Sequence, residues 1–370
     1  MSHRIVLHLI ASNFIGGPEK QILYHAETMQ SSAYDIVVAS FRDSSDEPEI
    51  VTYAARIGLR AFCLSGDVIP ATAQLIAYLR RHKNVLVCTH GFKANVLGFF
   101  ATSIAGSLHV AFVRGWTAET WRVAVYEWLE RLTLAHAQRV VCVSRLQQQQ
   151  LTARRTLLGY EAPRHIPNAM LPPRCDSDGS APLHVIKSNA FIFGAVGRLS
   201  KEKGHSCLLH GFADLLRRLP MGSNIRLLVL GDGRERQMLE EMAGDLGIDE
   251  LVTFAGFQSD CRAWMKSLDC LVQPSLTEGT PNSVLEALTL HIPVIATSVG
   301  GVPDLVRHEH NGLLIKPSSP KILSDAMYRV YCDPSLRARL AAGCEEIETE
   351  YGSEMQRARL IQLYDSSFCS

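Results

Sequence analysis

Short apolar runs alternate with longer segments of helical periodicity along the whole chain. Residues 4–10 (RIVLHLI) read as a strand, and Gly16-Gly17-Pro18 then opens a helix running to about Met29. Further strands are expected over residues 35–40, 85–89, 110–113 and 140–143, interleaved with helices over 94–105 and about 118–137. After residues 166–170 (IPNAM) the pattern breaks: residues 171–189 are rich in proline, lack periodicity and carry the polar cluster CDSDGS, as a linker does. A second series follows, with strands over 191–196, 226–230 and 252–255, helices over 205–218 and 234–246, and the apolar run CLVQPS at 270–275. The chain closes on helices expected over 320–330, 334–348 and 353–368. Short apolar strands separated by helices form parallel, doubly wound sheets. The fold class is therefore α/β, with two Rossmann-like domains over 1–170 and 190–352 and a closing helix over 353–370.

Composition narrows the reading without changing it. A chain of 370 residues, 47% of them hydrophobic, has enough apolar surface for two cores. Lys and Arg number 37 and so do Asp and Glu, so no global field favours nucleic acid, and none is expected as a partner. The ten cysteines are scattered, with no CxxC spacing, and several fall in expected strands, which suits reduced thiols and a cytosolic protein. The N-terminal apolar run passes straight into a glycine loop, as a first strand does and a signal peptide does not. No uninterrupted apolar stretch reaches the roughly 18 residues of a membrane span.

Candidate chemistry concentrates in residues 276–306, LTEGTPNSVLEALTLHIPVIATSVGGVPDLV. Glu278 lies in a Gly/Pro loop after the apolar run, and Glu286 follows eight residues later in the next helix. Thr280 suits the N-cap of that helix and Pro281 its first position. Amide groups at a helix start attract anions, and open α/β sheets bind ligands beyond the carboxyl ends of their strands. Two carboxylates in such a place suit a polyhydroxylated ligand that also carries phosphate. GAVGRLSKEKG (194–204) adds cations: Arg198 follows a strand tip and Lys203 precedes a helix. Arg198 can grip phosphate oxygens in a fork, and Lys203 is a mobile point charge.

These segments resemble the retaining glycosyltransferases of the GT-B fold, the group 1 or family four enzymes. The resemblance covers essentially the whole chain and is strongest over 191–317. It implies two Rossmann-like domains facing each other across a cleft, with the closing helix crossing back onto the first. It implies a nucleotide-sugar donor, held mainly by the second domain, and an acceptor held mainly by the first. Arg198 and Lys203 would then neutralise the leaving diphosphate, Glu286 would accept from the ribose hydroxyls, and Glu278 would stabilise charge beside the transferred sugar. Gly279, Thr280, Pro281, Asn282 and Ser283 would border sugar or phosphate. Gly16 and Gly17, in IGGPE, resemble the family's loop beside the donor phosphates, and His90, in VCTHGF at a strand tip, its sugar-contacting histidine. One departure stands out: where many members carry a second His-Gly, this chain has Arg114-Gly115-Trp116. Arg114 would bind an anionic acceptor or pair with a carboxylate.

Asp176 and Asp178 imitate a metal-binding DxD but sit in the linker, so no metal and no cofactor beyond the co-substrate is expected. GDGRE (231–235) is expected near the base, outside the chemistry. In the 118–137 helix, Trp121, Val125, Trp128, Leu129 and Leu132 share a face, which is expected to be core packing; contact with the inner face of a membrane is the sharper reading. The expected activity is transfer from a UDP-sugar to a glycan or lipid-linked acceptor in polysaccharide, lipopolysaccharide or other cell-envelope biosynthesis. A nucleotide-sugar epimerase of the same fold and a catalytically silent scaffold are the alternatives.

Overall fold

The computed structural model describes residues 4–12, 14–29, 33–42, 47–115, 121–171, 190–258 and 260–369. The chain divides into two compact units, Met1–Ala169 with Ser353–Ser370, and Met170–Gly352.

The first unit is built on strands β1 (Arg4–Ile10), β2 (Tyr34–Phe41), β3 (Arg60–Leu64), β4 (Val85–His90), β5 (Leu108–Val113), β6 (Arg139–Cys142) and β7 (Arg164–His165). They pair in the order β3-β2-β1-β4-β5-β6-β7, all parallel. Helices cover both faces of such a sheet, which is why β1 and β4 are apolar along nearly their whole length rather than alternating. The closing helix, Ser353–Phe368, belongs to this unit, and its Leu360, Leu363 and Tyr364 lie in one core with Val6, Leu86 and Cys88.

The second unit repeats the plan with β8 (Phe191–Val196), β9 (Ile225–Leu230), β10 (Val252–Gly256), β11 (Cys270–Gln273), β12 (Val294–Thr297) and β13 (Gly312–Ile315). The order is β10-β9-β8-β11-β12-β13, again all parallel. In both sheets the chain winds outward from a central pair, β1 and β4 in one, β8 and β11 in the other. The crevice beyond the carboxyl ends of such a pair is where doubly wound sheets take ligands. His90 ends β4, with Ile10 of β1 as its register partner, while Arg198 follows β8 and Glu278 follows β11.

Several elements depart from the sequence expectation. Strand β3 and the helices Glu49–Arg56 and Val68–Arg81 were not anticipated. Strand β3 is a half-exposed edge with little apolar contrast, so its periodicity is weak. The helix expected over 334–348 is two, Pro334–Ala342 and Glu346–Tyr351. Helix Asn282–Thr289 begins one residue late: Pro281 is its N-cap and Thr280 lies before it.

The apolar stripe of the helix Trp121–His136 is only partly packed: Leu129 and Leu132 are half-buried, and the Trp121 side chain lies outside what the structure describes. Val125 and Trp128 are 49% and 61% exposed, whereas Glu127, Glu130, Thr133 and Leu134 are buried. The reason is polar: Glu130 accepts from Asn95 Nδ2 at 2.5 Å, which turns that face inward. Phe100 and Ile104, on the neighbouring helix Phe92–Ala105, are exposed as well. Among the described residues no helix is long and apolar enough to cross a membrane, and the cysteines there form no disulfide. The linker Asp176 and Asp178 lie outside the described residues.

Candidate active site

In the second unit the polar groups converge on one carboxylate. Glu278 Oε1 accepts from Lys203 Nζ at 2.7 Å, Ser275 Oγ at 2.7 Å and Gln273 Nε2 at 2.8 Å. Its side chain is only 6% exposed, so three donors offset the loss of water around a charge. Gln273 is held in turn by Ser283 Oγ, which donates to its Oε1 at 3.1 Å. Thr297 Oγ1 donates to the Ser275 carbonyl at 2.5 Å and ties the loop to the end of β12. Gln273 and Ser275 were missed in the sequence reading; a buried glutamine inside an apolar strand is the signal that could have found them.

Lys203 ends a short 3-10 turn, Lys201–Lys203, before the helix His205–Arg218. Arg198, half exposed, reaches Glu202 Oε1 at 3.3 Å. Glu202 is buried and also accepts from Ser200 Oγ. Both cations expected at a diphosphate are thus seated on carboxylates, Arg198 on Glu202 and Lys203 on Glu278. Gly279 accepts through its carbonyl from Gly301 N at 2.7 Å. Helix Asn282–Thr289 starts with no side-chain cap, and Glu286, half-buried, stands on its second turn. Its N-terminus therefore adds the positive end of a helix dipole to the same loop.

Two glycines let these loops close. Gly300 has φ +54°, and a Cβ there would lie 1.8 Å from the Glu278 carbonyl oxygen. Gly204 has φ +70°, and a Cβ there would lie 2.2 Å from the Pro274 carbonyl oxygen. Either contact is far inside van der Waals range, so only glycine fits without moving the Glu278 loop.

In the first unit Gly16 caps the helix Gly17–Thr28, and its N–H donates to Glu19 Oε2 at 3.0 Å. Behind it lies a cluster that the sequence reading did not assemble. His90 Nδ1 faces Arg114, whose Nε and Nη2 lie at 3.2 and 3.0 Å. His90 Nε2 is 2.9 Å from His8 Nδ1, His8 Nε2 is 3.2 Å from Tyr364 Oη, and Tyr364 Oη is 2.8 Å from His25 Nε2. A guanidinium only donates, so His90 must accept at Nδ1 and carry its proton on Nε2. The same logic then propagates: His90 donates to His8, His8 to Tyr364, and Tyr364 to His25. All three imidazoles are neutral, and burial pushes their pKa values down, that of His25 to about 3. A histidine within an apolar strand, His8 in RIVLHLI, was the visible clue.

These histidines predict acid sensitivity. Their folded pKa lies below the ordinary 6.5, so their stabilising contribution is complete above about pH 6.5 and is lost as pH falls toward the folded value. Each group that stays neutral when folded costs about 1.4 kcal/mol per pH unit in that window. Urea unfolding between pH 7 and pH 5 should show uptake of at least one proton; a flat profile would contradict the neutral chain.

Known proteins resemble both units. The model of the family "Glycosyl transferases group 1" matches residues 181–345, and that of the "Glycosyl transferase 4-like domain" matches residues 16–169. The chain carries a group 1 glycosyltransferase domain and a glycosyltransferase 4-like domain. Among its relatives is the lipopolysaccharide core biosynthesis glycosyltransferase LpsE of Rhizobium meliloti, 32% identical over 48% of this chain and 51% of that protein. The first such relatives are matched over about half of their own length, 46–51%. An Escherichia coli UDP-Gal:alpha-D-GlcNAc-diphosphoundecaprenol alpha-1,3-galactosyltransferase is 23% identical over 90% of this chain and 89% of its own. Among solved structures, Anabaena HepE in complex with UDP-glucose superposes with a TM-score of 0.80 at 20% identity, covering 98% of this chain and 100% of that one. The fold is that of the GT-B glycosyltransferases, with two Rossmann-like parallel-sheet domains.

Proposed function

We propose that this protein is a retaining, metal-independent glycosyltransferase that takes its sugar from a UDP-sugar. The observation that carries the reading is the buried Glu278 carboxylate, held by Lys203, Gln273 and Ser275 at the β8/β11 switch point. Sugar transfer separates charge: the anomeric carbon becomes positive and the departing diphosphate negative. A fixed carboxylate paired with a lysine, with Arg198 at the tip of the adjacent strand, meets both needs, since preorganised charge is commonly the largest catalytic term. Glu278 stabilises the developing cation, Lys203 and Arg198 the diphosphate, and Glu286 holds the ribose. The Gly279–Ser283 loop borders sugar and phosphate. Retention follows from same-face displacement, with the donor phosphate helping to take the acceptor proton.

The donor assignment is supported by HepE, solved with UDP-glucose, and by the galactosyltransferase whose name specifies UDP-Gal. A glycan or lipid-linked acceptor of the cell envelope is supported by the lipopolysaccharide relatives and by the exposed Val125, Trp128, Phe100 and Ile104, a face suited to a membrane surface.

Slow hydrolysis of UDP-glucose and UDP-galactose, followed by proton NMR with EDTA present, tests this. The expected result is release of the α-anomer first, at a rate unchanged by EDTA. Initial release of the β-anomer would refute retention; loss of activity with EDTA, restored by magnesium or manganese, would refute metal independence.

A further inference from the structure

Arg114 is the unusual member of the first unit's buried cluster. No carboxylate lies within ion-pairing distance of it among the described residues, and its three bonds run to His90 Nδ1, from Nε and Nη2, and to Asn168 Oδ1, from Nη1 at 3.2 Å. A guanidinium has one N–H on Nε and two on each terminal nitrogen, so one N–H remains on each of Nη1 and Nη2. The surrounding groups are neutral: the imidazoles of His8, His25 and His90 and the amide of Asn168. Glu19 is felt only at longer range. These residues line a cavity of about 20 Å³, room for one water-sized group. His90, by contrast, has nothing left to offer. Its Nδ1 accepts from Arg114, its Nε2 donates to His8, and one face of its ring stacks on Phe112 at 4.5 Å.

We propose that Arg114, and not His90, meets the ligand at the end of β4 and β5, where its two remaining N–H groups receive a single oxygen of a phosphate or carboxylate. His90 is then a positioning residue, whose accepting Nδ1 fixes the plane of the guanidinium. In that tautomer Nε2 donates to His8, which links His90 to Tyr364 on the closing helix. A half-buried cation with no carboxylate in contact is incompletely compensated, and an oxyanion supplies the missing charge on binding. The size of the cavity limits the guest to one oxygen, so the rest of the anionic group stays outside. The inference rests on the transferase reading and deepens it by assigning the first unit an anionic ligand, a diphosphate or an acidic or phosphorylated sugar.

Isothermal titration of the wild type, Arg114→Gln and Arg114→Lys with UDP, glucose 1-phosphate, glucuronate and neutral glucose tests the proposal. The expected result is a loss of about 10- to 100-fold in affinity for at least one anion in Arg114→Gln, with partial rescue in Arg114→Lys and no change for glucose. Loss confined to UDP places the oxygen on the donor; loss confined to a sugar anion places it on the acceptor. Equal affinities in wild type and Arg114→Gln for all three anions, including no binding by either, would overturn the proposal. Wild-type binding of UDP checks the donor site separately. If it is absent while a sugar anion binds through Arg114, the donor reading fails and the Arg114 site stands. Nitrogen-15 spectra of the wild-type histidines supply a readout independent of folding in the variants. His90 should be neutral with a bare Nδ1 that shifts on adding the anion; a protonated Nδ1 would overturn the positioning role.

Discussion

Lys203→Ala should lower turnover about 100- to 1,000-fold, which is the usual effect of losing one preorganised group that meets developing charge. It should also destabilise the second unit by up to about 3 kcal/mol, because it strips the counter-charge from a carboxylate that is 6% exposed. Glu278→Gln should lower kcat by a comparable factor with a smaller stability loss. The amide removes the charge, while Ser275 and Gln273 can still reach its carbonyl oxygen. The two effects should not add: once Lys203 is gone, removing Glu278 relieves an unpaired buried charge, so the double variant should be more stable than Lys203→Ala alone. Denaturant melts and single-turnover kinetics of the four species measure the coupling. Strict additivity in both would mean that the 2.7 Å contact has no energetic content. Glu286→Gln should behave differently, raising donor KM with little change in kcat, because a carboxylate on ribose hydroxyls binds ground and transition states alike. If instead Glu278→Gln loses UDP binding and Glu286→Gln loses only turnover, the two roles are exchanged.

Gly300→Ala should lower activity about 100-fold or more without replacing any side chain assigned to the chemistry. The added methyl would lie 1.8 Å from the Glu278 carbonyl oxygen, and the φ of +54° resists a side chain in any case. The loop must give way, and a displacement of about 1 Å at reacting groups can cost about 100-fold. Gly301→Ala is the natural control for backbone conformation, since φ at Gly301 is −91° and its N–H can still donate to the Gly279 carbonyl. Equal kcat values for Gly300→Ala and wild type would show that the Glu278 loop need not be held in place.

What could be read from the sequence follows physical contrast. The parallel sheets were legible because β1, β4, β8 and β11 are apolar on both faces and are separated by helices. Strand β3, half exposed at an edge and preceded by a short helix, offered no such contrast. Arg198, Lys203, Glu278 and Glu286 were marked by charge beside glycine-rich strand ends. Gln273 and Ser275 were not, because a neutral side chain in a buried strand declares its partner only in three dimensions. The histidine chain was hidden for the same reason: its members stand at positions 8, 25, 90 and 364, and only the sheet order and the closing helix bring them together. The Trp128 stripe misled because apolar periodicity reports amphipathicity, not which face a helix turns inward; Glu130 and Asn95 decided that.

The close backbone approaches at Gly204 and Gly300 divide the second unit's site into a chassis and its fittings. Main chain rests directly on main chain there, so the frame tolerates neither a thicker residue nor a loop of different length. Exchanging a side chain on the Gly279–Ser283 segment leaves those main-chain contacts in place, although Ser283 also holds Gln273. Redesign of sugar preference should therefore proceed by exchanging side chains at Thr280 and Asn282 on an untouched frame, whereas grafting whole loops from relatives would import backbones that do not interlock.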